Sequence, residues 1–197
     1  KALLGLQGGE KAWIHSTGDR SNERRKQTLR DARNTSRRLA LMNFREACSF
    51  VTLTYAEHVT DIVEADKHFK AFIRKIRKHY GKKFKYLAVR EFTKIGRIHF
   101  HLLLDFEVPD DKTEEEIKAL ECYWHKAFWR HGWVDIKRLN HVDNVGAYLV
   151  KYMTKEISIE AFKGHKVYLC SKGLERPLEF KGDEAEAIMN VYQLKQK

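Results

Sequence analysis

Apolar and polar positions alternate or recur with changing period along the chain, and the changes of period mark out its elements. Phe50-Val-Thr-Leu-Thr-Tyr55 is rich in β-branched and aromatic residues and predicts a strand. Phe69, Phe72, Ile73, Ile76 and Tyr80 follow at helical spacing and stop at Gly81, so an amphipathic helix with a C-terminal breaker is expected there. Lys85 to Phe92 and Arg97 to Phe106 alternate as two strands joined by a short turn at Gly96. Thr113 to Arg130 carries Ile117, Leu120, Trp124 and Phe128 on one stripe and closes at Gly132, and Trp133 to Leu139 makes a fourth strand. Strand, helix, strand, strand, helix, strand is the α+β order of a split βαβ, or ferredoxin-like, antiparallel sheet with helices packed on it. Beyond it the pattern predicts a helix from Asn144 to Glu156, a looser segment from Gly164 to Pro177, and a last helix from Asp183 to Leu194.

The 197 residues, 43% of them hydrophobic, suit one domain spanning 1–197: a core at about 48–158, a basic N-terminal helix at about 21–46 and a C-terminal extension at about 159–197. Charged residues make up 33% but are interleaved with periodic apolar positions, which excludes a disordered chain. The formal net charge of +11 is what phosphate neutralisation requires. Arg24, Arg25, Arg30, Arg37 and Arg38 on the basic helix, and Arg97 beside the hairpin, are therefore candidate DNA contacts; the alternative for the helix is an ordinary solvated face. No apolar run reaches the length of a membrane span, so no membrane partner and a cytoplasmic location in a bacterial host cell are expected. Cys48, Cys122 and Cys170 are odd in number and scattered, which argues against a disulfide framework.

Candidate chemistry sits on the hairpin. Alternation sends Ile98, Phe100, Leu102 and Leu104 to one face of the strand and His99, His101, Leu103 and Asp105 to the other. With a three-residue loop of Lys94, Ile95 and Gly96, Glu91 falls opposite His99 on the histidine face. Two imidazoles and a carboxylate leave coordination positions open and suit a divalent metal ion, Mn²⁺ or Mg²⁺. The same register puts Arg90 on the core face opposite Phe100, which needs an explanation. On the helix from Asn144, the repeated Tyr-x-x-Lys places Tyr148, Lys151, Tyr152 and Lys155 on one stripe. A phenol with a lysine beside it can attack a phosphodiester. Ordinary packing tyrosines and solvated lysines are the alternative.

In order, Phe50-Val-Thr-Leu-Thr-Tyr55, then Gly96-Arg-Ile-His-Phe-His101 with Leu102-Leu-Leu104, then Tyr148-Leu-Val-Lys-Tyr-Met-Thr-Lys155 resemble the three motifs of HUH-class (His-hydrophobic-His) rolling-circle replication initiators. The doubled tyrosine pattern is similar to the two-tyrosine branch found in single-stranded DNA phages and related plasmids, and Tyr168 to Pro177 is similar to a tail of filamentous-phage-like initiators. The resemblance implies an HUH endonuclease fold in which His99, His101 and Glu91 hold the metal. It also implies that Tyr148 or Tyr152, the latter favoured as first nucleophile, nicks single-stranded DNA at a replication origin through a 5′-phosphotyrosine bond. No Walker-type loop is present, so a host helicase and polymerase are the expected partners. The other expectations in play are a relaxase or transposase of the same class and a non-catalytic single-stranded nucleic-acid-binding module on the same fold.

Overall fold

A computed structural model describes residues 2–44, 48–81, 83–139, 142–153, 162 and 164–193, with side chains described from residue 23 onward. Its elements run α1 (Ala2–Asn43), β1 (Ser49–Thr54), α2 (Ile62–Tyr80), β2 (Tyr86–Phe92), β3 (Ile98–Leu104), α3 (Glu114–Trp124), a π-helical turn (His125–Trp129), β4 (Val134–Arg138), α4 (Val145–Val150), β5 (Tyr168–Cys170) and α5 (Asp183–Val191). The sheet order is β4-β1-β3-β2-β5 and every pairing is antiparallel. The first four strands thus form the expected split βαβ order, and the fold is α+β.

Local chemistry explains the element ends. Asp61 caps α2 by accepting from Val63 N at 2.8 Å, and Gly81 closes it in the left-handed region at φ 63°. Thr113 and Glu116 form a reciprocal capping box at the start of α3. The helix expected to run to Arg130 instead widens into the π turn after Trp124. That extra residue per turn lets Trp124, Phe128 and Trp129 all enter the core, at 0%, 5% and 0% exposure. Trp129 Nε1 then donates to the carbonyl of Thr54 at 2.8 Å, tying the turn to β1. Gly96 sits at φ 82° in the hairpin loop, and β2 and β3 pair Glu91 with His99 and Val89 with His101, the register expected from the loop.

Two cores flank the sheet. On one face Val51, Leu53, Ala88, Phe100, Leu102 and Leu104 pack against α2 and α3. On the other, Phe50, Leu87, Val89 and Leu103 meet Leu39, Ala40 and Phe44 of α1 and Val145, Leu149 and Met153 in and after α4. The histidine face is therefore roofed by two helices. The basic helix expected from residue 21 to 46 is the C-terminal part of α1, which starts at Ala2 and ends at Asn43.

Arg90 does lie on the core face, opposite Phe100 and only 1% exposed, and the register is sound. Its Nε donates to Asp66 Oδ1 at 2.7 Å, a second nitrogen reaches the same oxygen, and the third donates to the carbonyl of Lys166 at 2.6 Å. The Phe162 ring lies 5.8 Å away. A buried guanidinium is tolerable because it is paired and hydrogen-bonded.

Two boundaries differ from expectation. The looser segment holds a fifth strand, β5, which pairs Tyr168 with Val89 and Cys170 with Leu87. The tyrosine helix ends at Val150, and Lys151 to Met153 continue it only as turns closed by Tyr152 N to Leu149 O at 3.2 Å and Met153 N to Val150 O at 3.1 Å. The final helix stops at Val191. Among the described residues, no helix is long and apolar enough to cross a membrane.

Candidate active site

Because paired residues share a face, three strands deliver the cluster: Thr52 and Thr54 from β1, His99 and His101 from β3, Glu91 from β2. One ligand atom from each of Glu91, His99 and His101 lies within 4.8 Å of the others. His101 is 4% exposed; its Nε2 is 2.7 Å from Glu91 Oε2 and its Nδ1 3.2 Å from Thr52 Oγ1. The hydrogen bond with His101 holds the Glu91 carboxyl below its usual range, with both histidines' charge adding to the effect. Burial pushes the His99 imidazole down, helped by neighbouring His101 and Arg97. An ionised carboxylate beside a neutral imidazole is the state in which a divalent cation is bound, and Thr52 supplies the outer partner that fixes a ligand ring. The donor set fits such an ion: one oxygen and two nitrogens, as the hairpin spacing predicts.

Over this cluster lies the tyrosine pair. The Tyr152 ring stacks on His101 at 3.8 Å between centroids and 22° between planes. Phe50, 1% exposed, is the common floor, 5.3 Å from the Tyr152 ring and 4.8 Å from that of Tyr148. Lys151 Nζ sits 3.6 Å from the Tyr148 ring centroid and 5.0 Å from that of Tyr152, so its ammonium covers the ring faces. Burial is the main reason the Tyr148 phenol is pushed up, followed by its hydrogen bond and repulsion with Tyr152. The helical stripe therefore brings Tyr148, Lys151 and Tyr152 together; Lys155 lies outside the described residues.

Three residues that the linear pattern does not mark belong here. Lys137 on β4 is the register partner of Phe50, and its charge acts against the rise of the Tyr148 phenol. Arg33 of α1 donates to the carbonyl of Met153 at 2.7 Å and so pins the end of the tyrosine turn. Gly146 lets α4 lie directly on α1. A Cβ there would stand 2.5 Å from the carbonyl oxygen of Arg37, a backbone atom that cannot swing aside. Gly146→Ala is expected to lift the tyrosine turn off the sheet and cost about 2 kcal/mol of stability, read by urea titration, with a further fall of about 100-fold in any tyrosine-dependent cleavage.

Of the arginines expected at DNA, Arg24, Arg30, Arg37 and Arg38 are exposed on α1, and Arg25 is half-buried near Phe162 and His165. Arg38 pairs with Glu179 at 3.2 Å and Arg30 with Glu23 at 3.9 Å, which engages part of that charge within the molecule. Arg97 flanks His99 and has a buried Nε without a hydrogen-bond partner. Cys122 is exposed, and His125 turns its Nδ1 to the carbonyl of Gly132, away from any ligand role with that thiol.

A split βαβ sheet bearing a His-x-His strand, a carboxylate across from it and a tyrosine pair stacked above is the build of a replication protein of the phage and replicon type. The family model for the replication-associated protein ORF2 family matches residues 48–157, and the chain belongs to that family. It is 30% identical over 135 residues to the Phasyl DNA replicon protein arp of Escherichia coli, covering 58% of this chain and 46% of that protein. It is likewise 30% identical over 131 residues to replication-associated protein ORF4 of Chlamydia phage 1, covering 58% of this chain and 32% of that protein. The chain thus spans less than half the length of either relative. Among solved structures, the hypothetical protein ORF119 from Sulfolobus islandicus rod-shaped virus 1 aligns with TM-score 0.35 and 17% identity over 66% of this chain and 96% of that one.

Proposed function

We propose that this chain initiates rolling-circle replication by nicking and rejoining single-stranded DNA at an origin through a covalent tyrosine. The observation that carries the reading is the stack of Tyr152 on His101, with His101 bonded in turn to Glu91, since it sets a phenol against a metal-type donor set. Glu91, His99 and His101 would hold a divalent ion, Mn²⁺ or Mg²⁺, whose contribution is to polarise the scissile phosphate and offset its developing charge.

The chain's own residues do the rest. Arg97 and the exposed arginines of α1 hold the flanking phosphates. The Tyr152 oxygen attacks phosphorus and its proton leaves to solvent. The bond from phosphorus to the 3′ oxygen breaks, that oxygen takes up a proton, and the 5′ side stays on the enzyme as a phosphotyrosine diester. Lys137 and Lys151 favour ionisation of the Tyr148 phenol, which serves the second cut that releases and rejoins the displaced strand. The free 3′-hydroxyl is then a primer for a host polymerase behind a host helicase.

The test is incubation of the protein with single-stranded oligonucleotides tiling an origin-like DNA, with Mn²⁺ or with excess EDTA, read on a denaturing gel. A nick and a slow-migrating covalent band in Mn²⁺, both lost in EDTA, are expected. Tight binding with neither product on any oligonucleotide would leave a binding module instead of an enzyme.

A further inference from the structure

At the end of the sheet nearest His99 there is a second cavity, of about 570 Å³, whose lining includes Tyr55, His68, His125, Arg130, His131 and Trp133. Its volume lies in the range of small-ligand sites. Its wall is built firmly. Ala56 N donates to the carbonyl of His131 at 2.9 Å and Thr54 N to that of Trp133 at 3.0 Å. Gly132 lets this turn close on β1, for a Cβ there would come 2.1 Å from the Thr54 carbonyl oxygen.

The lining is aromatic to an unusual degree. His68 and His131 stack face to face at 3.8 Å and 21°, and Tyr55 Oη lies 3.2 Å from His68 Nδ1. Burial, with His68 next, pushes the His131 imidazole down and favours a neutral ring. At the mouth, Trp133 leaves its indole 67% exposed. A metal ion does not fit this set: among the described residues, only Glu91, His99 and His101 bring three ligand atoms within 4.8 Å of one another. His125 Nδ1 is also already committed to the Gly132 carbonyl. Flat, uncharged ring faces with one arginine beside them are what an unstacked nucleobase and its phosphate require.

Position agrees with chemistry. Trp133 bonds through its carbonyl to Thr54, and Thr54 is the register partner of His99. Two strand spacings, about 10 Å, therefore separate the cavity mouth from the histidine cluster. That is within roughly three nucleotides at the ~3.4 Å rise of a stacked strand.

We propose that this cavity takes one unstacked base of the single-stranded DNA, a few nucleotides from the phosphate at the histidine cluster, with the Trp133 indole against its face and Arg130 on the adjoining phosphate. The proposal deepens the nicking reading and rests on it for the path of the strand.

Fluorescence anisotropy in EDTA, with a mixed-sequence single-stranded 15-mer and an abasic 15-mer of equal charge, tests it without requiring cleavage. The native protein is expected to bind the base-bearing strand about tenfold more tightly than the abasic one. Trp133→Ala should remove most of that ratio while leaving affinity for the abasic strand unchanged, and Trp133→Phe should keep most of it. A full ratio in Trp133→Ala, or none in the native protein, overturns the proposal. A Trp133-dependent ratio in a protein that never nicks would uphold the base site and remove the enzyme, whereas nicking without such a ratio would do the reverse.

Discussion

Tyr148→Phe and Tyr152→Phe combined should abolish covalent adduct formation, while Tyr152→Phe alone should slow the first adduct by on the order of 10³-fold or more. Each substitution removes one oxygen and leaves the ring, so the packing of both rings on Phe50 and of the second on His101 survives. Loss of chemistry can thus be separated from loss of fold by an unchanged thermal midpoint. Tyr148→Phe should spare the first cut, because burial and the neighbouring phenol already disfavour its ionised form. Its effect should fall on the second cut and on joining, read as linear displaced strand in place of circles. If both single variants and the double all still cleave, the tyrosines are not the nucleophiles.

His101→Ala should reduce Mn²⁺-dependent nicking about 10³-fold, in keeping with the several kcal/mol a bound cation gives to a phosphoryl transfer. The side chain is 4% exposed and joins Thr52, Glu91 and Tyr152, so its removal takes out a ligand, frees the carboxylate and unseats the phenol together. Affinity for single-stranded DNA should nevertheless stay within about tenfold, because phosphate contacts made elsewhere supply most of it. Nicking rates at saturating protein and anisotropy titrations in EDTA measure the two quantities separately. A loss of binding equal to the loss of nicking would show that His101 serves the DNA interface and not the reaction.

How far the linear pattern reaches is clear from individual residues. The hairpin is fully readable, since Gly96 fixes the loop, the loop fixes the register, and the period of two puts Glu91, His99 and His101 on one face. The Tyr148, Lys151 and Tyr152 stripe is readable for the same kind of reason, at helical spacing. Arg90 is not, because its partners Asp66 and Lys166 come from α2 and from the segment before β5, and no local period announces a buried ion pair. Nor is β5, three residues long and recruited only by the free edge of β2. Lys137 joins the site through the order β4-β1-β3, and Arg33 through the way α1 crosses the sheet; both depend on which elements become neighbours, which periodicity within one element does not encode. The same holds for the roof that α1 and α4 place over the histidine face.

Trapping the protein on a cleaved single strand in Mn²⁺, digesting it and locating the nucleotide-bearing peptide by mass spectrometry tests the juxtaposition of phenol and histidine cluster most directly. The nucleotide is expected on Tyr152, with a minor fraction on Tyr148, and nowhere else. A cleaved strand with a free 5′-phosphate and no modified peptide, or a nucleotide on any other side chain, would contradict it.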